Sequence, residues 1–123
     1  MALYLLTIPH DTADEPTMES MRQTDPEELE AALAHVNAFN EELNQAKAFT
    51  FAGGLHPPST AKTIDPTGGE TVVLDEPFVV ADQYVGGFWI IDVADDTEAL
   101  RWATKAAEAM GSRVELRAFQ AVD

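Results

Sequence analysis

The sequence predicts an α+β fold in the order β-α-β-hairpin-β-α-β, in one domain spanning residues 1–123. Three observations predict it. Short apolar runs bounded on one side by proline or glycine recur at residues 3–8, 48–52 and 88–93, as buried strands require. Two stretches of helical periodicity, each opened by capping residues, follow the first and the last of these runs. Two β-like arms then flank Asp65-Pro66-Thr67-Gly68-Gly69, a turn sequence with glycines to take positive φ.

Taken in order, Leu3 to Ile8 is a strand cut short by Pro9, and the acidic, proline-bearing segment that follows it reads as a loop. Asp25 supplies a helix cap, Pro26 suits the first helical position, and Glu27 and Glu28 favour the positive end of the dipole. Leu29, Leu33, Val36, Asn40 and Leu43 then form a buried stripe as far as about Gln45. Ala48 to Ala52 is the second strand, ending at Gly53-Gly54. Leu55-His56-Pro57-Pro58 is too rich in proline for a sheet interior and makes a connection. Residues 61–64 and 70–74 are the hairpin arms, and Phe88 to Val93 is a central strand. Asp95, Asp96 and Thr97 cap a second helix whose stripe is Leu100, Ala103, Ala107 and Met110, closed by Gly111. Trp102 falls off that stripe and is expected to pack against a neighbour. Val114 to Ala121 is the last strand. Helices returning between strands of one sheet define a ferredoxin-like βαββαβ sandwich with an extra hairpin.

Composition narrows function mostly by exclusion. With 22 acidic against 7 basic residues the net charge is −15, which repels nucleic acid and anionic membrane surfaces. No apolar run approaches a membrane span, and no basic lead-in marks a signal peptide, so a cytoplasmic protein is expected. With no cysteine, thiol nucleophiles, disulfides and cysteine metal clusters are excluded. Helices on one face of a small sheet leave Tyr4, Phe49, Phe51, Phe88 and Trp89 as more aromatic surface than the helices absorb. A second copy packed sheet to sheet is the expected cover, giving a homodimer.

Several ordered segments resemble the YCII-related, or DGPF-type, domain family. They are residues 34–43 on the first helix, Gly54-Leu55-His56-Pro57-Pro58, Thr71 to Phe78, Gly86-Gly87-Phe88 and residues 98–103. The likeness runs from Leu3 to about Phe119. It implies a dimeric α/β barrel of ferredoxin-like protomers, enzyme-like, with a histidine and an aspartate in a cleft. It also implies an association of some members with alternative sigma factors. Glu76 stands where the family motif has glycine, and residues 10–23 make a longer loop than the family pattern.

Four residues are singled out. His35 lies about 120° from the centre of the first helix's stripe, yet Ala31, Ala32, Ala38 and Phe39 flank it. An imidazole on such a flank, facing a cleft, suits proton transfer, and the resemblance supports that role. Asp75, at a strand end, is the carboxylate that would orient it. His56, held between a strand end and two prolines, and Phe39, beside His35, are the expected ligand contacts. No histidine pair has metal-ligand spacing, and no cofactor is expected. The glycine pairs 53–54 and 86–87 lack a phosphate-loop pattern and mark close approach of a strand or a ligand. The sequence is thus read as a small enzyme-like protein using His35 and Asp75 as acid and base. The alternative is a ligand-binding or regulatory module, linked to a sigma factor, in which these side chains only line a pocket. A purely structural dimer is the third reading.

Overall fold

The computed structural model describes residues 2–11 and 26–121. The strands are β1 (Ala2–Asp11), β2 (Phe49–Gly54), β3 (Thr63–Asp65), β4 (Val72–Leu74), β5 (Gln83–Val93) and β6 (Glu115–Ala118). The helices are α1 (Pro26–Gln45) and α2 (Asp96–Met110), and a single 3₁₀ turn covers Pro58–Thr60. Four strands form an antiparallel sheet in the order β2-β5-β1-β6, while β3 and β4 pair as a separate hairpin. With the hairpin set aside, this is the order of a ferredoxin-like sandwich, so the expected fold is the observed one. The expected loop and the Asp25 cap lie largely outside the described residues.

Local chemistry sets the helix ends. Asp95 is the N-cap of α2, its carboxylate accepting from the Glu98 amide at 2.9 Å, and Gly111 ends the helix in the left-handed region at φ 60°. Lys47, at φ 58°, turns the chain out of α1, and the Ala48 amide bonds back to Leu43 at 2.9 Å.

Two irregularities correct the sequence reading. β1 does not stop at Pro9 but continues to Asp11. Its partner shifts from Gly87 at Ile8 to Val85 at Pro9, so Gly86 is left over as a bulge. The proline, with no N–H to give, sits at that break. In β2 the register jumps from Phe49 opposite Ile91 to Phe51 opposite Ile90, leaving Thr50 between them. That extra residue sends Phe49 and Phe51 to opposite faces of the sheet.

The core lies between the sheet and the helices. Leu6, Leu43 and Ile91 are fully buried, each contributing about 1.5–3 kcal/mol by removal from water. Of the five aromatics expected on the open face, Tyr4 and Trp89 are buried under the helices and Phe49 packs against that core. Only Phe51 and Phe88 stand on the open side, with ring centroids 5.8 Å apart. Both helices are also rolled relative to the expected stripes. Leu33 and Leu100 are 53% and 61% exposed, whereas Phe39, Ala99, Trp102, Ala103 and Ala106 are buried. Phe39 meets Trp89 and Trp102 edge-on, at 5.2 and 6.0 Å between centroids. Three interlocked aromatics outweigh single leucines in choosing which helix face turns inward, and the alanines let α2 come close.

Candidate functional site

A cleft of about 400 Å³ opens between α1 and one corner of the sheet. Its origin is the pairing of the two glycine pairs. Gly54 lies opposite Gly87, Gly53 lies opposite Phe88, and the Leu55 amide donates to the Gly86 carbonyl at 2.8 Å. Gly54 shares the strand parity of Ala52, so at both Gly54 and Gly87 the position facing α1 carries no side chain. The helix therefore spans a floor of bare backbone. Close approach matters most at Gly87, where an added Cβ would sit 3.4 Å from the Gly53 carbonyl oxygen. At Gly54 the nearest atom to such a Cβ is 4.0 Å away, so that position is open.

Val36, Asn40, Met110 and Trp89 wall this floor. The Trp89 indole N–H donates to Asn40 Oδ1 at 2.7 Å. That bond fixes the carboxamide and leaves its Nδ2 group as the remaining donor. Among the described residues no acidic or basic side chain lines the cleft, in a chain carrying 22 acids and 7 bases. Its described lining offers one oriented amide among apolar and glycine positions.

The residues singled out from sequence sit elsewhere. His35 is exposed on the flank of α1, as its position off the stripe predicts. It lines a shallow groove between the helices with Glu42, Lys105 and Glu108, where Lys105 reaches Glu42 at 3.4 Å. Phe39 borders the same groove, but at 3% exposure it is a core ring rather than the ligand contact expected of it. Asp75 follows β4 and is ion-paired with Lys62 on a side chain that is 82% exposed. No hydrogen bond or ion pair joins His35 to Asp75; the first faces α2 and the second belongs to the hairpin. The Glu76 backbone needs no glycine, since Lys47 is the one non-glycine with positive φ among the described residues. His56 borders a third hollow, of about 610 Å³, with Pro57, Phe78 and Tyr84. There the Tyr84 hydroxyl donates to the Val79 carbonyl at 2.7 Å and accepts from the Ala81 amide at 2.9 Å.

Sequence reading missed Asn40 and Trp89 as site residues. An asparagine in an otherwise apolar stripe was the available signal, because a polar group on a buried face calls for a partner.

Fold and cleft together define a class: a ferredoxin-like α+β sandwich carrying a glycine-floored pocket beneath its first helix. The YCII-related domain model matches residues 2–119, nearly the whole of the described fold, and the chain belongs to that family. It is also similar to an uncharacterized protein of Rhizobium meliloti (strain 1021), at 31% identity over 83 residues, covering 68% of this chain and 67% of the relative. Among the described residues no helix is long and apolar enough to cross a membrane.

Proposed function

We propose that this chain is a homodimeric ligand-binding module, taking a small, uncharged, largely apolar molecule in the cleft beneath α1. The observation that carries this reading is the cleft itself, floored by Gly54 and Gly87 and anchored by Asn40. A bare backbone floor favours a flat ligand, and Asn40 Nδ2 favours one with a hydrogen-bond acceptor. Binding rather than turnover is preferred because, among the described residues, the pocket walls hold no acid or base to move a proton. Acid-base work by His35 and Asp75 would require Asp75 to leave Lys62 and reach another part of the fold. The homodimer is favoured by the open sheet face, where Leu3 and Phe51 are 42% and 56% exposed. A cytoplasmic setting and coupling to a sigma factor fit the same reading as a small-molecule sensor.

A fragment screen by thermal shift, run on three proteins, tests it. Gly54→Val puts a side chain into an open position of the cleft, so it should fold normally and lose the response to neutral aromatic fragments. His35→Ala should keep that response. The opposite pattern, with His35→Ala silent and Gly54→Val responsive, would move the site to the groove between the helices and sink the proposal.

A further inference from the structure

The two outer edges of the central sheet are finished differently. On one side β6 pairs with Tyr4–Thr7 of β1 and presents Glu115 and Arg117, and the stretch of β1 beyond it holds Pro9. Charge and proline at an edge deter another strand from pairing there. β2, the strand at the other edge, runs Phe49–Gly54 and has neither. Backbone alternation says what it offers. The Leu55 amide donates to the Gly86 carbonyl, so Leu55 faces β5, and in register Gly53 and Phe51 do as well. Ala52 and Gly54 therefore turn their N–H and C=O groups outward, two residues or about 6.7 Å apart. Among the described residues β5 is the only strand beside β2, so these groups face away from the sheet.

α1 overhangs this edge with a flank suited to the same partner. His35 and Glu42 face α2 across their groove, while Val36 and Asn40 share the cleft with Ala52 and Gly54. The side of the helix away from α2 thus turns toward β2. Leu33, Asn37, Asn40 and Asn44 fall there within an arc of about 60°, at about 100° per residue. None is charged, in a chain of net charge −15. Asn44 donates to the Asn40 carbonyl at 3.0 Å and Asn40 Oδ1 accepts from Trp89, yet each carboxamide keeps a further group to offer. A carboxamide carries the same donor and acceptor as a peptide group, so both walls of this opening match an extended main chain. The side-chain positions of Ala52 and Gly54 lie on the cleft side, so an added strand would aim every second side chain over the bare floor.

We propose that the opening between α1 and the outer edge of β2 binds an extended, uncharged peptide segment, its main chain pairing with Ala52 and Gly54 while one apolar side chain fills the cleft. This rests on the cleft reading above and names the class of its occupant. Main-chain bonds supply the affinity, and the glycine-floored cleft selects the side chain.

The probe is a capped pentapeptide with a central leucine flanked by valines and then threonines, titrated into the full chain by NMR. Two singly N-methylated versions, one at the leucine and one at the next residue, remove main-chain donors that point in opposite directions. One should bind at least about tenfold more weakly and the other within about threefold of the parent, because only one of the two donors faces β2. Ala52→Pro removes an outward N–H without touching the β2–β5 ladder and should weaken the parent peptide at least about fivefold. Amide exchange at Gly54 should slow when the parent peptide is added. Equal losses with both methylated peptides, or undiminished binding to Ala52→Pro, would overturn the strand pairing. Should Ala52→Pro fail to fold, the methylated pair decides alone. A chain that ignores the peptide but still responds to neutral aromatic fragments would overturn the peptide class and leave the cleft standing; silence toward both would overturn the cleft as well. Gly54 exchange that is already slow in the free chain and quickens on dilution would give the edge to a second copy and overturn the proposal.

Discussion

The two faces of the central sheet come from the same strands by simple alternation, yet they end in opposite environments. On one, Leu6 and Ile91 are 0% exposed and Trp89 is 4%. On the other, Leu3 and Phe51 remain 42% and 56% exposed although they are as apolar. Hydrophobicity alone does not distinguish the faces; cover does. The helices supply it on one side, and among the described residues no element supplies it on the other. Two apolar faces on one small sheet amount to a demand for a second layer.

The largest expected effect breaks this comparison directly. Ile91→Ala should cost about 2–5 kcal/mol of unfolding free energy, because it opens a cavity in a fully packed layer. Leu3→Ala should cost less than about 0.5 kcal/mol in dilute solution, where its site is already wet. Urea unfolding at several protein concentrations checks both. The Ile91→Ala loss should be the same at every concentration. The Leu3→Ala loss should grow with concentration, as expected when a second copy covers that face. Equal losses at high dilution would mean the open face is not open.

A smaller effect separates the cleft from the core beneath it. Asn40→Ala leaves the Trp89 indole N–H without its acceptor and should cost about 1–3 kcal/mol. Gly54→Val, which leaves that bond alone and enters open space, should change stability far less while closing the cleft. Chemical denaturation of the two variants side by side measures the difference. Similar losses would make the glycine corner a packing device rather than a binding floor.

Much of this fold was legible in the sequence because its signals are local. The Asp95 cap, the Gly111 stop, Pro26 at the start of α1 and the Asp65–Gly69 turn act within a few residues of themselves, and each was readable where it stands. Face and pairing are not local. The Thr50 irregularity reverses which of Phe49 and Phe51 points inward, and the shift at Gly86 carries β1 past Pro9. A period-2 reading cannot see either, since one extra residue exchanges the faces. The helix stripes missed for a related reason: counting leucines ignored the Phe39–Trp89–Trp102 cluster, which forms only once three elements meet. The cleft depends on the same non-local information. Each glycine pair was visible, but the bare floor exists only because register sets Gly54 against Gly87.

The smallest effects are electrostatic, and they compare the hairpin with the helix-covered face. Asp65 accepts from the Thr67 hydroxyl at 2.5 Å and the Thr67 amide at 2.8 Å, which hold its carboxyl below the ordinary range. A depressed carboxyl favours the folded turn above its unfolded value near pH 4, and that contribution fades as pH falls through the lower folded value. Tyr4 moves the other way: its hydroxyl donates to the Asp96 carboxylate, which raises the phenol above its usual value. Its contribution is complete below about pH 10 and disappears as pH climbs through the raised value. Acid should therefore loosen the hairpin first and alkali the β1–α2 contact. NMR titration of the Asp65 and Tyr4 side chains, with amide exchange followed in each region, reads the two ends separately. Asp65→Asn should remove the acid-side change in the hairpin and leave the alkaline change at Tyr4 intact. An acid response that survives Asp65→Asn would show that the Asp65–Thr67 turn is not its source.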